Sequence, residues 1–175
     1  MKKLFFLNAM RPIWIVFFAI TITACAGPRR QPVEMQTKFD YEMHKPYMQK
    51  GNNTIKGQGF LRQQGGGVVT CAGSEVLLLP ATPFFRESIN ILRTGKKPIS
   101  EKLDPASKTM IKRSQGDAQG NFTFNEVPDG DWFVVTQVKW MVGYRPQGGS
   151  LLKEISVAKG ETKEVLLTDR DLVGW

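Results

Sequence analysis

Short runs of alternating apolar and polar residues fill the chain from Thr54 to Thr168, with Gly, Pro, Asn and Asp between them. Such alternation is typical of β-strands that bury one face, and the intervening residues are those that make tight turns. The strand-forming runs are TIKGQGFLRQ, the stretch QGGGVVTCAGSEVLLLP that opens on a glycine-rich turn, GNFTF, GDWFVVTQVKWM, LLKEISVA and ETKEVLLT. About seven strands separated by turns predict an all-β fold, an antiparallel β-sandwich.

The longest run, GDWFVVTQVKWM, indicates which side chains face the predicted core. Alternate residues of a strand point to opposite faces. One face carries mostly large apolar side chains: Trp132, Val134, Thr136, Val138 and Trp140. The other face includes Gln137 and Lys139, as expected for an antiparallel strand with one solvated side. Phe122 and Phe124, two positions apart in the preceding run, are predicted to share a buried face.

One inserted segment, residues 82–114, departs from the strand pattern. Its first part, TPFFRESINILRTG, follows a helical period, with a capping threonine and a first-turn proline at one end and a glycine stop at the other. The VLLL stretch at residues 76–79 is apolar on both faces, so a second layer must cover it. We therefore expect one short helix over residues 82–95 and a returning loop over residues 96–114. The side chains predicted to cover VLLL are Phe85, Ile89 and Leu92.

Residues 1–24 have the three-part layout of a secretory signal peptide. Lys2 and Lys3 give a positive start, an apolar run follows from Ile13 to Ala24, and the last residues are small. The apolar run is shorter than the ~20 residues that a membrane-spanning helix needs. The pattern favours export over a permanent membrane span.

The end of that signal, ITAC at residues 22–25, resembles the lipobox of bacterial lipoproteins, in which the cysteine is acylated and becomes the first mature residue. The resemblance implies a thioether-linked diacylglycerol on Cys25. An ordinary signal peptide cut near Ala24 or Ala26 is the alternative. With Cys25 acylated, Cys71 has no partner for an intramolecular disulfide, and we expect it to be buried as a small hydrophobe. Intermolecular pairing or a reactive thiol is the alternative for Cys71.

Residues 25–53 mix proline, charge and scattered apolar side chains and predict a tether that precedes the domain at residues 54–175. Within it, a four-residue spacing favours one face of a short helix that ends before Pro46, formed by Met35, Phe39 and Met43. This stripe could lie on the domain, stay disordered or contact a partner. No other potential metal ligand is suitably placed beside His44, so we expect its side chain to be exposed.

The net charge of the chain and its distribution limit the kinds of partner that we expect it to bind. Of the formal net charge of +8, three positive charges belong to Lys2, Lys3 and Arg11, and no acidic residue precedes Cys25, which leaves +5 for the mature chain. The basic residues do not form the clustered, aromatic-interleaved face that nucleic acids require. We expect no nucleic-acid binding.

Catalytic and metal-binding motifs are also missing from the sequence. There is no G-x-S-x-G, H-E-x-x-H, P-loop or paired-cysteine motif, and one histidine limits general-base chemistry. Four polar residues near the turns could be taken for calcium ligands, but their spacing is that of turn residues: Asp117, Asn121, Asp129 and Asp131. We therefore expect no enzyme activity, no cofactor and no metal.

The stretch GDAQGNFTFNEVPDGDWFVVTQ resembles the bacterial carboxypeptidase regulatory-like domain, whose signature is roughly D-x-x-G-x-F-x-F-x-x-[VL]-P-x-G-x-Y-x-[VL]. That resemblance implies a transthyretin-like β-sandwich over residues 54–168. Trp132 stands where the family usually has tyrosine, and residues 82–114 and the tether depart from the pattern. The positions that would define the core are Gly120, Phe122, Phe124, Pro128, Gly130, Trp132 and Val134.

Together these features predict a lipid-anchored, non-enzymatic lipoprotein that presents a β-sandwich to an envelope protein. A secretion-system accessory is one such role, because the outer-membrane lipoprotein of type VI secretion has a similar architecture. The insertion and the Met/Phe stripe are the predicted interaction surface, with candidate contacts at Phe84, Arg86, Arg93, Lys96 and Lys97. A lid with a solvated loop is the structural alternative for this insertion.

A carbohydrate-binding or surface-adhesion module is the alternative function. It would use exposed aromatic side chains, for which the candidates are Trp140, Tyr144 and Trp175. Ala26, directly after Cys25, is compatible with sorting to the outer membrane, with the domain facing the periplasm.

Overall fold

The computed structural model describes residues 30–99 and 105–173. The strands are β1 (Pro32–Glu34), β2 (Asn53–Arg62), β3 (Val68–Thr70), β4 (Glu75–Pro80), β5 (Lys97–Ile99), β6 (Lys112–Gln115), β7 (Asn121–Val127), β8 (Gly130–Val142), β9 (Arg145–Val157), β10 (Thr162–Leu167) and β11 (Leu172–Val173). The helices are α1 (Tyr41–Met48), α2 (Pro83–Arg93), α3 (Pro105–Thr109) and a 3-10 turn at Asp169–Asp171. No helix within these residues is long and apolar enough to cross a bilayer.

Two sheets form an all-β sandwich, which confirms the predicted fold class. The larger sheet has the order β11-β9-β8-β4-β6 and is antiparallel throughout. The smaller sheet is built on β2, which pairs with β10 on one side and with β7 and β3 on the other. The β2–β10 pair is parallel, unlike its neighbours. A separate short parallel pair joins β1 to β5.

The core between the sheets contains the alternating residues that the sequence identifies. Trp132, Val134 and Val138 of β8 are fully buried there, beside Phe122 and Phe124 of β7. The opposite face of β8 differs from a simple solvated face, because Phe133 is also buried. Strand β8 is therefore covered on both sides over its first half.

Helix α2 covers the outer face of the larger sheet, as predicted from the VLLL stretch at residues 76–79. Val76 and Leu78 of β4 face the inter-sheet core, whereas Leu77 and Leu79 face α2. The helix contributes Phe85, Ile89 and Leu92 to this outer core, the three side chains that its spacing indicates. Helix α2 thus converts the larger sheet into the middle layer of a three-layer arrangement.

The segment before the sandwich is not a free tether in the part that the structure describes. Met35 and Phe39 pack into the outer core beside α2, and Tyr47 packs against the inter-sheet core. Strand β1 is hydrogen-bonded to β5. The contacts begin at Gln31, whose carbonyl accepts a hydrogen bond from Lys97 N at 2.9 Å.

Helix α1 differs from the predicted helix. Met35 and Phe39 precede it, Met43 is exposed, and Pro46 lies inside it. Asp40 caps the helix by accepting hydrogen bonds from the amides of Glu42 and Met43, so the helix begins after the predicted stripe has started.

The prediction that His44 is exposed is wrong, because only 1% of its surface is accessible. Its ring stacks on Phe39 with centroids 4.4 Å apart. Its Nε2 lies 2.7 Å from Thr82 Oγ1 and its Nδ1 contacts the carbonyl oxygen of Asp40. Thr82 sits at the N-cap of α2 but makes no capping side-chain hydrogen bond. Its hydroxyl instead ties α1 to α2.

Candidate functional site

The predicted interaction surface on the insertion divides into buried and exposed residues. Phe84, expected to point away from the sandwich, is 5% exposed and packs edge-on against Phe39 and Phe85. Phe84 therefore belongs to the outer core, because both faces at the start of α2 are covered, one by the sheet and the other by the segment before α1.

The side chain of Arg86 is also engaged in contacts within the protein. Its guanidinium pairs with Glu154 of β9, and its Nε donates to Ala81 O at 2.9 Å. The same group lies over the Phe133 ring at 5.4 Å from the centroid. Hydrogen bonding to Glu154 raises the pKa of Arg86. These contacts hold α2 on the sheet, so Arg86 is a structural residue in this arrangement.

Glu87 fastens the N-terminal segment to α2. Its two carboxylate oxygens each accept a backbone amide at 2.7 Å, one from Gln36 and one from Thr37. Hydrogen bonds from Thr37 and from the Gln36 amide lower the pKa of Glu87. A groove of about 530 Å³ lies beside this contact of Glu87, between Val33 and α2. Two of its charged lining residues, Arg86 and Glu87, are engaged in contacts within the protein, whereas Lys96 lines the same groove and is exposed.

The remaining predicted contacts are exposed. Arg93 ends α2, Lys96 directly precedes β5, and Lys97 is the first residue of β5. Lys97 stands opposite Pro32 in the parallel β1–β5 register. These three cations therefore lie near the place where the chain enters the described fold.

The positions that resemble the regulatory-like signature lie in the core or in its turns. Phe122, Phe124, Pro128, Trp132 and Val134 are buried, Gly120 is buried in the turn before β7, and Gly130 is half-buried at the start of β8. Gly120 has φ of +78° and a Cβ there would lie 2.7 Å from Gly59 O, so only glycine fits. Cys71 lies beside this turn, fully buried, with Sγ donating to Gly120 O at 3.2 Å. Burial raises the pKa of the Cys71 thiol.

The polar turn residues bond to the chain itself. Asp117 accepts hydrogen bonds from the amides of Gln119 and Asn121 and from the Asn121 side chain. Asp129 accepts from Asn53 Nδ2 at 2.8 Å. Within residues 30–99 and 105–173, no group of three or more His, Cys, Asp and Glu side chains is arranged to hold a metal ion.

A second surface, which the sequence marks only through the aromatic candidates Trp140 and Tyr144, lies at the tip of the β8–β9 hairpin. Strand β4 pairs with β8 only over Trp132 to Val135, and β11 pairs with β9 only at Ser150 and Leu151. Beyond these pairs, β8 and β9 are hydrogen-bonded to each other and to no further strand in the described chain. We call residues 139–148 the ribbon.

The ribbon carries apolar side chains outward from the core. Along one face of β8, Val138 is fully buried, Trp140 is half-buried and Val142 is 58% exposed. Met141 on the opposite face is 61% exposed, and Tyr144 in the turn is fully exposed. Met141, Val142 and Tyr144 thus place three exposed apolar or aromatic side chains within four residues at the tip of the hairpin, and such exposed groups are typical of interaction sites.

The tight turn at the tip of the ribbon exposes the side chain of Tyr144 to solvent. Val142 pairs with Arg145, which leaves the two-residue connection Gly143-Tyr144. Gly143 has φ of +58°, and a positive φ at the first central position is what a type II′ hairpin requires. The ribbon also contains Lys139 and Arg145, and no acidic residue occurs between Asp131 and Glu154. The tip is therefore apolar, aromatic and cationic.

Of the aromatic candidates for a sugar platform, the structure places Trp140 and Tyr144 together on the ribbon. Trp175 and Cys25 lie outside the described residues. Gln147 pairs directly opposite Trp140 across the two strands.

No protein-family model and no curated protein matches the chain. Among solved structures, a protein of Pseudomonas aeruginosa described as a candidate carbohydrate-binding protein is similar, with a TM-score of 0.64 and 22% identity over 75% of this chain and 98% of that chain. This likeness shows a shared fold. A chlorocatechol 1,2-dioxygenase from Pseudomonas putida matches with a TM-score of 0.31 and 12% identity over 83% of this chain and 68% of that chain, a likeness too slight to bear on fold or function.

Proposed function

We propose that the chain is a non-enzymatic lipoprotein of the bacterial envelope, anchored through Cys25, which binds an envelope protein through the ribbon. In this proposal the domain is of the carboxypeptidase regulatory-like type and faces the periplasm from the outer membrane. The observation that carries the proposal is the ribbon itself, an apolar and aromatic tip held beyond the sheet by a tight turn.

The ribbon has the composition of a protein-binding surface. Tyrosine, methionine and arginine are enriched in interface cores, and Met141, Tyr144 and Arg145 all lie within residues 141–145 of the hairpin. An isolated two-stranded hairpin is marginally stable in water. A partner that covers the exposed faces of Met141 and Val142 would therefore remove apolar surface from water and order the ribbon at the same time.

The test is affinity purification of the protein from detergent-solubilised membranes with the variants Val142→Ser and Tyr144→Ser. Leu166→Ser on β10 is the matched control, because Leu166 is 48% exposed on the other sheet. We expect both ribbon variants to lose a defined partner that the wild type and the control retain, with melting temperatures within about 2 °C of each other. Retention of every partner by a variant that combines Val142→Ser with Tyr144→Ser would contradict the proposal.

Carbohydrate binding is the second candidate, favoured by the exposed aromatic side chains and by the described role of the similar Pseudomonas aeruginosa protein. Tyr144 presents a ring to solvent, and Trp140 with Gln147 opposite supplies a half-buried ring and an amide. Such a set can stack on a sugar ring and bond its hydroxyls. A glycan array separates the two candidates: a saccharide bound by the wild type and by Tyr144→Phe but not by Tyr144→Ala would favour this second function.

A further inference from the structure

The distance between the proposed lipid and the sandwich is short. Five residue steps separate Cys25 from Arg30, where the described structure begins. At ~3.3–3.6 Å per residue, even a fully extended chain spans no more than about 18 Å over these steps. Because Gln31 is already hydrogen-bonded to Lys97, the face that carries β1 and β5 is held this close to the lipidated residue.

That face presents exposed cations. Arg30 enters beside Lys96 and Lys97, since β1 and β5 run parallel with Pro32 opposite Lys97, and Arg93 precedes them at the end of α2. All four side chains belong to exposed residues. In the described part of the chain, none of the four forms an ion pair with an acidic side chain.

Among the described residues, neither of the two nearby acids, Glu34 and Glu87, neutralises this group. Glu34 stands at the far end of β1, opposite Ile99, and Glu87 is occupied by two backbone amides. Residues 100–104 add Glu101, Lys102 and Asp104 to the sequence, and the stretch from Arg93 to Asp104 is still positive by two charges. The positive charge of this face favours a negatively charged partner. A membrane that holds the lipid on Cys25 would lie within about 18 Å of Arg30 and would be such a partner.

We propose that Arg30, Arg93, Lys96 and Lys97 contact the anionic phospholipid headgroups of the leaflet that holds the Cys25 lipid. This inference rests on the lipidation proposed above. A lipid chain combined with a cluster of basic residues is a general two-signal arrangement for stable membrane attachment. The contact would orient the sandwich, with α2 and β5 toward the bilayer, and the four cations would be a membrane surface rather than a protein-binding one.

The test uses the full lipoprotein, purified from membranes and reconstituted into phosphatidylcholine vesicles with or without about 30% phosphatidylglycerol. Amine-directed acetylation followed by mass spectrometry gives a modification rate for each lysine. Lys56 is the internal control, because it is exposed on the smaller sheet, on the other side of the sandwich from α2. The N-terminal peptide from the same digest reports the mass of Cys25 and of any lipid on it.

On the anionic vesicles we expect acetylation of Lys96 and Lys97 to slow at least about threefold relative to neutral vesicles, while the Lys56 rate stays the same. Raising the salt to about 1 M should restore the rates, because the Debye length falls to about 3 Å. Equal rates on both vesicles with lipid present on Cys25 would overturn this inference alone. Slowing of Lys56 to the same degree would also overturn it, and an unmodified Cys25 would overturn both this inference and the proposed anchor.

Discussion

Replacing Trp132 with alanine should remove a large part of the stability of the sandwich. The side chain is fully buried between the two sheets, and its Nε1 donates to Pro128 O at 3.2 Å. Truncation of a buried tryptophan costs about 3–5 kcal/mol. A small domain is stable by about 5–15 kcal/mol, so the variant should be close to unfolding at moderate temperature.

The assay is chemical denaturation, with thermal melting as a second readout. For a domain of this size, about 3 °C is lost per kcal/mol, so the melting temperature should fall by about 9–15 °C. Trp132→Phe is the matched control, because it keeps an aromatic ring and loses the bond to Pro128. We expect it to cost about 1–2 kcal/mol. A loss below about 1 kcal/mol for Trp132→Ala would refute the assignment of this face to the core.

The same residue tests whether the N-terminal segment packs on the sandwich in solution. Tyr47 of α1 meets the Trp132 ring edge-on, with centroids 5.1 Å apart. A double-mutant cycle between Tyr47→Ala and Trp132→Ala should therefore give a coupling energy of about 0.5–1.5 kcal/mol. Additive losses would mean that α1 does not occupy this position.

Two further predictions concern single polar groups. Because hydrogen bonds lower the pKa of folded Glu87, its contribution is present above the unfolded value of about 4.3 and is lost as pH falls through the folded value. Glu87→Gln should thus be less stable than wild type at pH 7 in urea titrations, with the gap closing toward pH 3, and a gap independent of pH would oppose this. Cys71, buried with a raised pKa, should react with a thiol reagent only in denaturant, and rapid reaction of the native protein would show that it is accessible.

The sequence predicts the sandwich well because the relevant signals are local. Alternation along β8 places Trp132 and Val134 inside, and the doubly apolar VLLL requires a cover that begins only three residues later, at α2. Both inferences depend on neighbours in the chain, and the glycine-rich turn before β3 fixes the hairpin in the same way. Local sequence preferences of this kind predict the structure well because the tertiary contacts favour the same conformation.

The N-terminal segment was harder to predict because its contacts are distant in the chain. His44 is buried by Thr82, 38 residues later, and Gln36 is held by Glu87, 51 residues later. A lone histidine and a Met/Phe stripe carry no mark of those partners. Once this segment covers α2, Phe84 is enclosed as well, which explains why the prediction for Phe84 was wrong.

The exposure of the ribbon could not be predicted from the sequence for a different reason. Trp140 and Val142 continue the same alternation as Val138, and nothing in the pattern shows where the apolar face stops being covered. That boundary depends on where the neighbouring strands β4 and β11 end. The sequence carries two signals of this surface: the aromatic residues Trp140 and Tyr144, and the absence of acidic residues across the hairpin.

The most direct test of the account is whether Cys25 carries the lipid. Cells expressing the wild-type protein or Cys25→Ser are grown with an alkyne fatty acid, and the protein is purified, coupled to a fluorophore and examined by mass spectrometry. We predict that the wild type is labelled and begins at a lipidated Cys25, whereas Cys25→Ser is unlabelled and remains an unprocessed precursor. Persistent labelling of Cys25→Ser, or a wild-type protein that begins at Ala26 without lipid, would contradict the account.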